Sequence, residues 1–151
     1  MQPKTLVLNF SGTLIKTDFV FGKGLTIKKR PGLMNFLKRL SQKYEVVIFS
    51  DEDFMFLNGA VENIDPGHQI FLNAFGKESM VWSNGRYIKD LTYLNRDPKN
   101  IIVIERDIRN VSKHPQNVIL LKEFDGDDND QELNKLLPLL ESNFMSKHRF
   151  V

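Results

Sequence analysis

The chain has 151 residues, 41% of them hydrophobic, a formal net charge of +2 and no cysteine. That length and apolar content suit one packed domain and argue against disorder. The charge is too small for a nucleic-acid-binding field, and without thiols there is no disulfide, thiolate nucleophile or cysteine metal site.

The first predicted element is a strand over Lys4 to Phe10, with Gly12-Thr13 as its exit turn. An apolar run opening onto a small polar loop is the usual place for a phosphate site in an α/β protein. Phe19-Val20-Phe21-Gly22-Lys23-Gly24 reads as a flap with glycine hinges. Leu33, Phe36, Leu37 and Leu40 are spaced as one face of a helix, with Pro31 expected in its first turn. Glu45 to Phe49 is apolar on both faces, as a central parallel strand should be. Ser50-Asp51-Glu52-Asp53 leads into a helix carrying Phe54, Leu57, Val61 and Ile64, which Asp65-Pro66-Gly67 stops.

Gln69 to Leu72 and Met80 to Trp82 are short strands. Ser83-Asn84-Gly85-Arg86 predicts a hairpin, because Asn-Gly accepts positive φ at both central positions. Ile101 to Ile104 and Val118 to Leu121 are two further strands. The acidic stretch from Asp125 to Asp130 leads into a last helix carrying Leu133, Leu136, Leu137 and Leu140, with Pro138 inside it. No apolar run approaches the roughly 18 residues of a membrane span. Nothing ahead of Lys4 reads as a targeting peptide, so the chain is expected to have no span or leader of its own. The expected fold is α/β: a central, mainly parallel sheet with helices on both faces and a β-hairpin insert. Residues 1–144 form one domain and residues 145–151 a short C-terminal tail.

Charge is unevenly spread. Eight Lys/Arg fall between Lys16 and Lys43 against the single acid Asp18, and six acids and no base fall between Glu123 and Glu132. Two opposite patches suit either solvated faces or docking to charged partners. The histidines at 68, 114 and 148 show no ligand spacing, and no metal site is expected from them.

Seven pieces in order carry a family resemblance. They are Leu8-Asn9-Phe10-Ser11-Gly12-Thr13-Leu14, Lys29-Arg30-Pro31-Gly32-Leu33, Tyr44 to Ser50, Tyr87-Ile88-Lys89-Asp90-Leu91-Thr92, Ile101 to Arg106, Phe124-Asp125-Gly126, and Asp130. The chain resembles the RNA polymerase II CTD-phosphatase-like, or NLI-interacting-factor-like, domain of the haloacid dehalogenase superfamily. Leu94 to Pro98, Lys28 to Gly32 and Asp65-Pro66 are more similar to the receptor-type branch of the mitochondrial presequence translocase. The resemblance implies a three-layer haloacid-dehalogenase-like fold. In active members the position of Asn9 holds an aspartate nucleophile and that of Ser11 an aspartate acid/base. Ser50 and Lys89 stand where phosphate is bound, Glu105 and Arg106 where the magnesium site is completed, and Thr13 closes the first loop.

Measured against that pattern, Asn9 and Ser11 have lost both carboxylates. An aspartyl-phosphate needs a carboxylate oxygen, and a serine hydroxyl cannot shuttle a proton near neutral pH. Magnesium prefers anionic oxygens, and an inward-pointing Arg106 would place a cation beside it. The expectation is therefore a vestigial pocket of Asn9, Ser11, Thr13, Ser50, Lys89, Glu105 and Arg106, with no catalytic residue, metal or cofactor and with Lys89 paired to Glu105. Ser50 is equally read as the cap of the following helix, and Asp130 as the N-cap of the last one. Trp82, Phe54 and Phe56, and the acids Asp125, Asp127 and Asp128, are the expected partner-binding residues.

Three functions remain open. The chain is a protein-interaction module of a mitochondrial inner-membrane assembly, peripheral to the membrane, binding other subunits and cationic presequence peptides as the resemblance implies. Alternatively it is an accessory structural subunit of a respiratory or ATP synthase complex, or a magnesium-dependent serine/threonine phosphatase.

Overall fold

The computed structural model describes residues 4–142. The expected tail after residue 144 lies outside the described residues. The chain runs β1 (Lys4–Leu8), β2 (Ile15–Val20), β3 (Gly24–Lys29), α1 (Leu33–Leu40), β4 (Tyr44–Phe49), α2 (Phe54–Ile64) and β5 (Phe71–Phe75). It continues through β6 (Val81–Ser83), β7 (Arg86–Ile88), β8 (Ile101–Glu105), β9 (Val118–Leu120) and α3 (Glu132–Glu141), with short 3-10 turns between.

Five strands form one parallel sheet in the order β5-β4-β1-β8-β9, so the opening strand sits in the middle. Period-two alternation sends its side chains to opposite faces. Leu6 and Leu8 share a face with Val46, Ile48, Ile102 and Ile104, and the buried residues of α1, α2 and α3 pack onto it. Val7, Val103 and Phe49 face the other way, where Leu91 and Val111 from two 3-10 turns close over them. Helices thus cover both faces unequally: α-helices on one side, single 3-10 turns on the other.

Several boundaries differ from the sequence expectations. The flap is a two-stranded hairpin, β2 against β3, in register from Ile15–Lys29 to Val20–Gly24. Much of it is open to solvent, so no apolar period marked it as strand. Pro31 lies ahead of α1, whose N-cap is Gly32. The edge strand predicted at Gln69 begins at Phe71. The β6–β7 hairpin turns on Asn84 and Gly85, both at positive φ.

Arg30 ties the hairpin, the opening loop and α3 together. Its side chain is fully buried, donates to both Asp130 oxygens at 2.8 and 2.9 Å, and reaches the Thr13 and Lys122 carbonyls. Burial alone would raise the Asp130 carboxyl; the hydrogen bonds from Arg30 and the Glu132 backbone outweigh it and hold it below the usual range. Asp130 does accept from Glu132 N, but Gln131 is the N-cap of α3, so its main partner is Arg30 rather than the helix. The acidic stretch is bound to the basic one as well. Lys28 Nζ sits 2.7 Å from Asp128 and donates to the Gly126 carbonyl, and Lys16 donates to the Asp125 carbonyl. The two charge runs read as separate patches are therefore partly each other's partners.

Asp65 ends α2 and begins the path to β5. Its carboxylate accepts from Gln69, Ile70 and Phe71 N at 2.9, 2.9 and 3.0 Å. Burial pushes this carboxyl up, but the three backbone donors overcome it and leave it lowered overall. Asp65 and Asp130 both titrate lower folded than unfolded. Their contribution is complete above the unfolded carboxylate value of about 3.9 and is lost as pH falls through the lower folded values. A series of thermal melts should accordingly give a flat Tm from neutrality to about pH 4 and a falling one below it, with the acid limb shallower in Asp65→Asn.

Candidate functional site

The C-terminal end of β1 delivers Asn9 into the interior, where it has no exposed surface. Its amide uses both donors and both acceptor positions. Nδ2 donates to the Ser11 carbonyl at 2.8 Å and to Thr13 Oγ1 at 3.1 Å, while Oδ1 accepts from Lys89 Nζ at 2.9 Å and Ser50 Oγ at 3.1 Å. A carboxylate cannot replace that set, because its second oxygen would face the Ser11 carbonyl oxygen with no proton between them.

The rest of the network is supplied from three other strand ends. Lys89, just past β7, is 1% exposed, and its Nζ lies 2.6 Å from Glu105 Oε2 at the end of β8. Glu105 Oε1 accepts from Arg106 N at 3.0 Å and Asn110 Nδ2 at 3.3 Å. Ser50, past β4, accepts from Phe10 N at 3.0 Å as it donates to Asn9. The helix-capping reading of Ser50 gives way here: Asp53 caps α2, accepting from Phe56 N. One ammonium, one carboxylate and neutral groups make a charge-balanced interior.

Two of the expected pocket residues stand apart from this network. The Arg106 side chain does not point inward. It runs over Gly12, with Nη2 at 3.2 Å from Asp51 and Nη1 at 3.3 Å from Glu123. Only its backbone N–H reaches Glu105. Ser11 contributes its carbonyl to Asn9 and its N–H to Glu52 Oε1 at 2.8 Å, while its hydroxyl has no hydrogen-bond partner among the described residues. Glu52 is not among the residues expected at the site; an acid in a helix-leading run gives no sign that it will fold back over a loop 41 positions earlier.

The magnesium ion implied by the phosphatase resemblance does not fit these residues. The single carboxylate in the network has both oxygens engaged, one by an ammonium, and the Asn9 oxygen is engaged twice. Its donors are neutral or already neutralised, the reverse of what a hard dication selects. No step is assigned to such an ion here.

The expected partner-binding residues are scattered. Trp82 is 64% exposed and stacks edge-on against Tyr87 of the β6–β7 hairpin. Phe54 is half exposed, but Phe56 packs partly against the core, so the helix presents Phe54 and Met55 to solvent. Asp125 and Asp127 each accept a backbone N–H within their own loop, and Asp128 is paired with Lys28. The most exposed aromatics were not among those expected: Phe19 and Phe21, 78% and 97% exposed, at the end of the β2–β3 hairpin. Their sequence signal was the apolar run bracketed by Gly22 and Gly24.

A family model described as NLI interacting factor-like phosphatase matches residues 4–150. The chain belongs to this family. Among curated relatives of this NLI interacting factor-like domain, the mitochondrial import inner membrane translocase subunits tim50 of Neurospora crassa and TIM50 of Kluyveromyces lactis are each 36% identical over 140 residues, 93% of this chain. The match covers 26% and 29% of those proteins, so the chain spans between a quarter and a third of their length. Among solved structures, the fission yeast RNA polymerase II CTD phosphatase Fcp1 bound to beryllium fluoride superposes with a TM-score of 0.68 at 18% identity, over 91% of this chain and 50% of that one. That likeness shows the haloacid-dehalogenase-like fold.

Lys89 and Glu105 are the test of how the domain's interior is held. Lys89→Met leaves a buried carboxylate without its cation and should cost roughly 3–5 kcal/mol in urea denaturation. Lys89→Met combined with Glu105→Gln should cost clearly less than the two single losses added together, which a double-mutant cycle measures.

Proposed function

We propose that this chain is a catalytically inert NLI interacting factor-like domain that holds other proteins in a mitochondrial inner-membrane assembly of the presequence-translocase class. The observation that carries the proposal is the saturated Asn9 amide. The group at the tip of the central strand has no charge to attack phosphorus, and its hydrogen bonds are all spent on the protein itself. The naming of its relatives as import translocase subunits supports the setting.

Its partners are other subunits of that assembly, and the surface that suits them is the β2–β3 hairpin. Phe19 and Phe21 stand in solvent beside Val20 and Leu25, an exposed apolar tip. Cationic presequence peptides are a further partner class, for which the acidic loop offers Asp125 and Asp127. Its Asp128 is already matched by Lys28, so the loop has less free charge than the sequence suggests. No described helix is long and apolar enough to cross a membrane, and the domain is placed at the inner membrane through its partners.

Two measurements test this reading. Native purification of the tagged chain from its source mitochondria should recover import-translocase subunits, and Phe19→Ser/Phe21→Ser should lose them with the fold intact by circular dichroism. Stoichiometric recovery in an oxidative-phosphorylation complex instead would overturn it. Hydrolysis of para-nitrophenyl phosphate should be no faster than with Asn9→Ala, with or without magnesium. Turnover that disappears in Lys89→Ala would end the inert reading.

A further inference from the structure

The loop after β1 has a second anomaly, independent of the Lys89 network. Three polar side-chain atoms there are buried without a partner among the described residues: Ser11 Oγ, Glu52 Oε2 and Arg106 Nε. All three border the Ser11-Gly12 peptide. Ser11 is part of it, Glu52 Oε1 accepts the Ser11 N–H, and the Arg106 side chain lies against Gly12. Beside them opens a cleft of about 360 Å³ lined by Ser11, Gly12, Lys16 and Arg106 among others.

A loop at the C-terminal end of a central parallel strand, with backbone N–H groups aimed outward, is a general anion cradle. Here the Phe10 N–H is satisfied by Ser50 Oγ, while the Ser11 N–H is satisfied by a carboxylate from another segment. That carboxylate is held in place from behind. The Ser50 N–H donates to the Phe75 carbonyl and the Lys77 N–H to the Glu52 carbonyl, pinning the Ser50–Asp53 segment to the exit of β5. Gly76 permits this approach, since a Cβ there would stand 2.7 Å from the Glu52 carbonyl oxygen.

Glu52 is not an ordinary cap. Asp53, Asp90 and Asp107 each accept a backbone N–H at the start of their own helical turn. Glu52 reaches to a different loop, uses one oxygen, and leaves the other buried and unmatched beside an unmatched hydroxyl and an unmatched guanidinium N–H. Unpaired buried polar atoms are costly, and three together mark a place shaped for a group that would engage them.

We propose that this loop retains a binding site for a small tetrahedral oxyanion of the phosphate class, and that the Glu52 carboxylate occupies it as a built-in competitor. The Ser11 N–H and hydroxyl and the Arg106 Nε–H are the donors that the anion would take. With Glu52 in place, an incoming anion meets a like charge at the same N–H. With Glu52 removed, the donors face the cleft. This stands apart from the inert-domain reading, because occupancy is read without turnover.

The test is a titration of inorganic phosphate into the ¹⁵N-labelled chain, following the Ser11 and Phe10 amide resonances, for wild type and Glu52→Ala. Saturable shifts at Ser11 are expected in Glu52→Ala, with an apparent affinity at least about tenfold above wild type, the scale of one charge-assisted hydrogen bond. Amide hydrogen exchange supplies the second reading on the same samples. The Ser11 N–H should be protected in wild type, exposed in Glu52→Ala, and protected again when phosphate is added. Equal affinity in the two proteins overturns the competitor role. Absence of any Ser11 shift in a Glu52→Ala protein whose spectrum remains that of a folded chain overturns the site. Unchanged protection of the Ser11 N–H on removing Glu52 overturns the contact itself.

Discussion

A single buried ion pair, Lys89 with Glu105, sets the terms for everything at the end of the central sheet. Taking both charges out of water is costly, and their attraction offsets that cost only if the remaining hydrogen-bonding positions are filled. They are filled by neutral groups. Asn9 gives an acceptor to the ammonium, and Asn110 and the Arg106 N–H satisfy the carboxylate. Each of these groups comes from a different strand end or turn, so the network also fixes the relative positions of β1, β4, β7 and β8. The interior is balanced with one cation and one anion, and a second carboxylate at position 9 would break that balance.

The second organising pair, Arg30 with Asp130, works at the opposite side of the same loop. Arg30 follows β3 directly and holds the Thr13 carbonyl, so the opening loop is gripped at Ser11 by Glu52 and at Thr13 by a guanidinium. The Phe124 ring lies against that guanidinium, 5.5 Å from ring centre to carbon. The acidic stretch thereby has a structural role, as the place where the hairpin's cations and Arg30 find their counter-charges. Docking and internal pairing draw on the same carboxylates.

Much of the fold was legible in the residues. β1, β4 and β8 are largely apolar runs because both sheet faces are covered, and α1 shows a clean helical period because one of its faces is solvated. Asn84-Gly85 announced its turn through its tolerance of positive φ, which a tight hairpin requires at both positions. The β2–β3 hairpin was hidden because it stands away from the core and buries little of either face, so no period was imposed on it. At the site, the pairing of Lys89 with Glu105 was foreseeable from the family pattern, which places an amine and an acid at one pocket. The positions of Arg106 and Glu52 did not follow, because each is decided by partners 17 to 55 residues away in sequence. Ser50 was ambiguous for a local reason. A serine ahead of a helix has the chemistry of a cap, and only the presence of Asp53 nearer the first turn frees it for Asn9.

The anchoring of the β2–β3 hairpin has a consequence for whatever meets it. Lys16 and Lys28, on opposite strands, both reach the loop around Asp125 and Gly126, so the ribbon is braced at its base on two sides. Phe19 and Phe21 are therefore presented on a stiff arm and need no ordering when a surface arrives. Conformational entropy that a loose flap would surrender at the moment of contact has already been given up when the chain folds. Such an arm favours slow release over adaptability: it recognises one contour and grips it, where a limp segment would accept many and keep none for long.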